Sequence, residues 1–166
     1  ILKYKTDKRI LLLATNATIE GEKLETLINK YDTEHRIDKK GLKNLAQYAE
    51  DGIFDKKIIL PYLKDELKGY TLDKYGILIL GCTHYIFFKD SFRELIDGVQ
   101  IIDGGRGTAM QLKRRLEQNG LLATDADKTD GEPRVIYFES GVRVTDRKKL
   151  ETIEMLNDRF MNMEML

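Results

Sequence analysis

The segment Ile-Leu-Ile-Leu-Gly-Cys-Thr-His-Tyr, residues 77–85, sets the chain's one cysteine, Cys82, two positions before His84 and at the mouth of an apolar run. A thiol beside an imidazole is a usable proton-transfer or nucleophilic pair, because the imidazole favours the thiolate that does the chemistry. If the backbone there is extended, residues two apart point to the same side. A lone cysteine is also a common small hydrophobe of protein cores. Spacing alone therefore leaves inert packing and chemistry both open. Zinc needs three or four ligands, and the other histidine, His35, lies in a polar stretch with no cysteine nearby, so no metal site is expected.

Other stretches are weaker. The run IIDGGRGT, residues 101–108, is glycine-rich between an apolar run and a helical pattern, yet it lacks the lysine-serine/threonine ending of a P-loop and the glycine spacing of a dinucleotide fingerprint. It reads as a turn. Ser140 has no G-x-S-x-G around it, which argues against a serine hydrolase. Glu50, taken alone, is an ordinary solvated carboxylate, and helix capping accounts for Thr15 and Thr18.

These residues need a scaffold. Ile77–Leu80 is short, rich in β-branched residues and closed by Gly81, the pattern of a buried strand ending in a tight turn. Ligands of open α/β sheets bind just past the carboxyl ends of strands, which is where Cys82, Thr83 and His84 fall. Arg9–Ala14 reads as another strand, followed by a helix that Thr18 caps and that carries Leu24, Leu27, Ile28 and Tyr31. A weak strand is predicted over 33–37 and a helix over 42–50, ended by Gly52. Around Lys56–Leu67 the helical spacing is interrupted by Pro61, predicting a helix that starts or kinks there. A short helix closed by Gly98, a strand over 99–103 and a helix stopped by Gly120 follow. A polar connection over 121–134, a strand over 135–140 and a helical tail complete the chain. Strands alternating with helices predict an α/β fold, a mostly parallel sheet flanked by helices.

Composition narrows the function classes. The 166 residues fit one domain, 42% apolar content is enough for a core, and 28 basic against 28 acidic side chains give zero formal net charge. No global field draws the chain to nucleic acid or to an anionic membrane. The basic clusters at Lys3, Lys5, Lys8 and Arg9 and at Lys113–Arg115 read as solvated faces. A single cysteine makes no internal disulfide, no signal-peptide pattern opens the chain, and no apolar run reaches the roughly 18–20 residues of a membrane span. A soluble, cytoplasmic protein is expected. Because the chain opens without methionine and runs almost at once into a strand, it is expected to be a piece of something longer.

The sequence GCTHY after an apolar strand closely resembles the second active-site motif of the glutamate racemases, in the cofactor-independent aspartate/glutamate racemase family. RILLLATNAT resembles the strand and turn that open that family's second lobe, LAQYAEDG (45–52) the segment carrying an active-site glutamate, and IIDGGRGTAMQL the aspartate-glycine segment after the motif. The resemblance covers roughly residues 9–120. It implies proton transfer by two thiols on opposite faces of the glutamate α-carbon, with no cofactor and no metal. Cys82 would be one of them, the one serving L-glutamate. Thr83 would bind substrate by backbone and hydroxyl, His84 would assist Cys82 and touch substrate, Glu50 would orient His84, and Thr18 would join the substrate-binding residues.

The same resemblance implies that residues 1–98 form the second lobe and 99–166 cross back to complete the first, so the chain holds one wall of the site. The product would be D-glutamate for peptidoglycan, and the partner a second copy or the N-terminal half. Departures from the family pattern are clear. The first-half aspartate-serine-glycine and alanine-cysteine-asparagine-threonine motifs do not occur here, so the second thiol is not in this sequence. IFF follows the tyrosine in place of proline-leucine-leucine, ATNAT lacks the usual proline, and YFESG lacks the usual threonines and aspartate. Alternatives are a racemase of another acidic amino acid, a degenerate non-catalytic carboxylate-binding or protein-interaction domain, and a cysteine-histidine hydrolase or transferase.

Overall fold

A computed structural model describes residues 7–123 and 135–164, so Lys3, Lys5 and most of the expected polar connection lie outside the described residues. The chain divides into two compact units, Ile1–Asp103 with Met155–Leu166, and Gly104–Glu154. The first contains strand β1 (Arg9–Ala14), helices α1 (Asn16–Ile19) and α2 (Glu22–Tyr31), β2 (Ile37–Gly41), α3 (Leu45–Glu50), α4 (Lys56–Glu66), β3 (Tyr75–Leu80), α5 (Lys89–Leu95) and β4 (Gln100–Asp103). Its sheet is parallel throughout, in the order β2-β1-β3-β4.

The two central strands are the two apolar runs legible in the sequence. Leu11, Leu13 and Leu78 are fully buried, as strands covered on both faces must be. Around them pack Leu45, Ile59, Leu63, Tyr85, Phe88 and Phe92. The edge strand β2, Ile-Asp-Lys-Lys-Gly, is only half-buried and lies a few residues later than the weak strand expected over 33–37. Lysines on an edge strand hide it from a hydrophobic reading and discourage pairing with other chains. Here they are held by carboxylates, Lys39 by Glu25 at 2.5 Å and Lys40 by Glu66 at 2.8 Å.

Register decides what the sheet can position. Ala14 lies opposite Gly41, Leu13 opposite Leu80, and Leu80 opposite Asp103. The strands therefore end level, and the turns after residues 14, 41, 80 and 103 gather at one edge. Gln100–Asp103, expected in the returning segment after residue 98, is the fourth strand of this sheet.

Two expectations need correction, and a third is narrowed to one of its two readings. Thr18 caps no long helix: it lies inside α1, and α2 begins after Gly21, whose carbonyl accepts from Leu24 N–H. Of the two readings of Pro61, a helix start or an interior position, the structure takes the second: Pro61 sits inside α4, and the start is made by Asp55, whose side chain accepts from Lys57 N–H at 2.8 Å. The strand expected over 135–140 shrinks to β5 (Phe138–Glu139), paired antiparallel with β6 (Val142–Arg143). Ser140 and Gly141, both at positive φ, make the two-residue turn of that hairpin. A turn so close to the apolar residues ends the strand early. The second unit also holds α6 (Gly105–Gln118), and α7 (Arg147–Glu164) begins in it and ends in the first. Among the described residues no helix is long and apolar enough to cross a membrane.

At the amino edge of the sheet Arg9, Asp38 and Tyr75 tie β1, β2 and β3 together. Arg9 donates to both Asp38 oxygens at 2.6 and 2.7 Å, and the Tyr75 hydroxyl donates to the same carboxylate at 2.7 Å. The Arg9 hydrogen bond holds the Asp38 carboxyl below the usual range, against partial burial, while burial and then Asp38 push the Tyr75 phenol up to about 12. A depressed carboxyl stabilises the fold above its unfolded value near ~4, and that contribution is lost as pH falls through the folded value. Because Arg9 and Asp38 are about a third exposed, Asp38→Asn is expected to cost about 1 kcal/mol at neutral pH. The gap should close below pH ~4. Urea melts across pH check this, and a gap independent of pH would mean that charge is not what Asp38 contributes.

Candidate active site at the carboxyl edge of the sheet

Where β3 ends, Gly81 N–H donates to the Leu13 carbonyl at 2.8 Å, and a Cβ on Gly81 would stand 3.1 Å from that of Ala14. A side chain here would make a tight contact, so glycine suits the close exit of the two central strands. Gly41 has a similar role: a Cβ there would run into the Asn16 side chain from the turn after β1.

Cys82 is still extended, and Thr83–Phe88 then wind into a 3-10 turn. The closeness of Cys82 and His84 thus comes from a strand end meeting a turn, and not from the extended backbone considered from spacing alone. The turn is anchored from below. Tyr85 and Phe88 are fully buried, the Tyr85 hydroxyl donates to the Leu42 carbonyl at 3.0 Å, and the Phe88 ring lies 5.5 Å from that of Phe54. Burial pushes the Tyr85 phenol well above its ordinary value, so it stays a neutral donor. Anchored at residues 85 and 88, the turn presents residues 82–84 outward.

The structure joins three of the expected site residues. Cys82 Sγ lies 3.8 Å from His84 Nδ1, and His84 Nε2 lies 2.5 Å from Glu50 Oε1. Glu50 is the last residue of α3, which Gly52 ends at φ 69°. A carboxylate only accepts, so Nε2 carries the proton shared with Glu50 and Nδ1 is left facing sulfur. A neutral imidazole in that tautomer can take the thiol proton, and the imidazolium can pair with the thiolate. Cys82 is half-buried and Thr83 is exposed, so both are open to a ligand at this edge. Thr18 is on the exposed turn after β1, its hydroxyl paired with that of Thr15 at 3.0 Å, outside the three-residue chain of contacts. Among the described residues no group of three or more histidine, cysteine or acidic side chains is placed to hold a metal.

Sequence reasoning missed the residues that brace this edge from the far end of the chain. Arg159 Nε donates to the Phe87 carbonyl at 3.2 Å, its Nη2 contacts both Asp90 oxygens at 2.7 and 2.8 Å, and the guanidinium lies 5.1 Å from the Phe54 ring. No local spacing signals a partnership across 72 residues.

Replacing Cys82 by serine is expected to abolish alkylation at the site while moving stability by less than about 1 kcal/mol, since a partly exposed sulfur leaves little cavity when exchanged for oxygen. A loss of about 2 kcal/mol or more in thermal melts would mark Cys82 as a core residue instead.

No family model matches the chain. A glutamate racemase of Halothermothrix orenii is 40% identical over 146 residues, 87% of this chain and 55% of that protein. One from Lachnospira eligens is 35% identical over 163 residues, 98% of this chain and 61% of that protein. Among solved structures, a glutamate racemase isoform of Bacillus anthracis aligns with a TM-score of 0.63 at 27% identity, over 74% of this chain and 46% of that one. The Francisella tularensis glutamate racemase, solved with D-glutamate, aligns with a TM-score of 0.64 at 27% identity, over 72% and 45%. The chain therefore spans about half the length of the curated relatives it matches. By sequence and by fold, this chain is similar to about half of a glutamate racemase.

Proposed function

We propose that this chain supplies one wall of a racemase site for glutamate, with Cys82 as one of its two acid/base thiols. The observation that carries this reading is the Glu50–His84–Cys82 chain of contacts at the level ends of a parallel sheet, in a chain 40% identical to a glutamate racemase. In the thiolate form Cys82 takes the α-proton: the S–H bond forms, the Cα–H bond breaks, and the electron pair is left on the substrate. A proton delivered to the other face by a second thiol completes the inversion. His84 assists by holding or accepting the sulfur's proton, and Glu50 keeps its ring in the tautomer this requires. The backbone and hydroxyl of Thr83, with Thr18 on the neighbouring turn, bind the substrate. The site needs no cofactor.

The second thiol has to come from outside these residues, since Cys82 is the only cysteine. In this reading the sheet-bearing unit forms the second lobe, and the segment after it, with its exposed apolar residues Leu112, Val135, Phe138 and Val142, is covered by the first lobe. The cytoplasm, where thiols stay reduced and peptidoglycan precursors are made, is the compartment that fits. Exchange of the glutamate α-proton for solvent deuterium tests the reading, run with the chain together with the first half of a racemase. Exchange that depends on Cys82 supports it. Binding of glutamate with no exchange would favour a non-catalytic carboxylate-binding domain.

A further inference from the structure

Glu50 and His84 sit on two short segments, a helix of six residues and a 3-10 turn of six residues, separated by 34 positions in sequence. Segments this short have little rigidity of their own. Their hydrogen bond is also open to water, with the Glu50 side chain 52% and that of His84 30% exposed. A pair like this holds one geometry only if both backbones are held from outside. The C-terminal part of α7 touches both. Met155 Sδ lies against Gly52, 2.8 Å from where a Cβ would stand, just past the end of α3. Arg159, one turn later, binds the Phe87 carbonyl inside the turn that carries His84, grips Asp90, and lies over the ring of Phe54. Phe160 covers Lys89, which pairs with Asp103 at 3.0 Å, and Met163 is buried. Residues 155, 159 and 163 recur every four positions and so form one face of the helix.

We propose that this face of α7 is the positioning element of the site: Met155 and Arg159 lock the Glu50 segment to the His84 segment and so fix the imidazole that faces Cys82. The inference deepens the racemase reading and rests on it for the use made of the pair. Its geometry stands apart from turnover and is tested without glutamate.

The test reads the ring nitrogens of His84 by NMR in the full chain, at alkaline pH where imidazoles are neutral, together with the rate at which iodoacetamide alkylates Cys82. Wild type should show His84 protonated at Nε2, in contrast to the tautomer mixture of the exposed His35, which serves as an internal reference. Arg159→Ala should shift His84 toward the same mixture and change the alkylation rate about as far as Glu50→Gln does, with His35 unmoved. Arg159→Lys, which restores the charge without the planar fork, should recover part of both signals. Asp38→Asn, at the opposite edge of the sheet, controls for lost stability and should leave His84 as in wild type. If Arg159→Ala does not fold, Met155→Ala is read the same way. A folded variant that keeps the Nε2 tautomer and the wild-type alkylation rate overturns the assignment, as does loss of the tautomer in Asp38→Asn. Failure of the racemase reading would leave these NMR outcomes standing.

Discussion

Circular dichroism of L- or D-glutamate is expected to stay flat when the 166-residue chain is added alone, and to change when the first half of a racemase, carrying the other cysteine, is added with it. The reason is the count of proton carriers. One thiol can remove the α-proton from one face, but inversion needs a donor on the other, and Cys82 is the only thiol here. The expected change is large because general acid/base groups each contribute about 10²–10⁴-fold, and the chain alone lacks one of them altogether. In the mixture, Cys82→Ala should return both inversion and deuterium exchange to background. Clear turnover by the pure chain would sink the two-thiol argument, since a non-thiol group or a second copy's Cys82 would then have to serve the opposite face. A stable, monodisperse monomer that gains nothing from the complementing half would favour an independent binding domain. The exposed Leu112, Val135, Phe138 and Val142 argue for association instead.

The second large effect is expected at His84. With Nε2 bonded to Glu50 at 2.5 Å and Nδ1 3.8 Å from the Cys82 sulfur, the imidazole is placed to move or balance the thiol proton. His84→Ala in the reconstituted pair should slow α-proton exchange by about 10²-fold, the lower end of what a positioned acid/base contributes. Glu50→Gln keeps an acceptor oxygen and loses the charge, so about 10-fold is expected. In the proposed mechanism Glu50 acts only through His84, so the double variant should be no slower than His84→Ala, a non-additivity that a mutant cycle measures. Additive losses would mean that Glu50 reaches the substrate by itself.

Much of the candidate site's geometry was legible in one dimension because its parts are close in sequence or obey short-range rules. The run Ile77–Leu80 had to be a covered strand, Gly81 had to end it, and the ligand edge of an α/β sheet follows from strand polarity. The GCTHY motif and its resemblance added Glu50, which no spacing rule reaches from 34 residues away. What stayed hidden was decided by packing. β2 carries Asp38, Lys39 and Lys40 in its middle, so its strand identity comes from the Ile10↔Ile37 register beside β1 and from carboxylates that hold the lysines. VIYFES reads as a strand, yet a Ser140-Gly141 turn leaves only a two-residue hairpin strand, because turn geometry overrides strand propensity where the chain reverses. The contacts of Arg159 with Phe87 and Asp90, and of Met155 with Gly52, belong to tertiary structure alone. The Arg159 guanidinium meets the Phe87 carbonyl and Asp90 across 72 and 69 residues, and local sequence patterns record only interactions within a turn or two of the same segment.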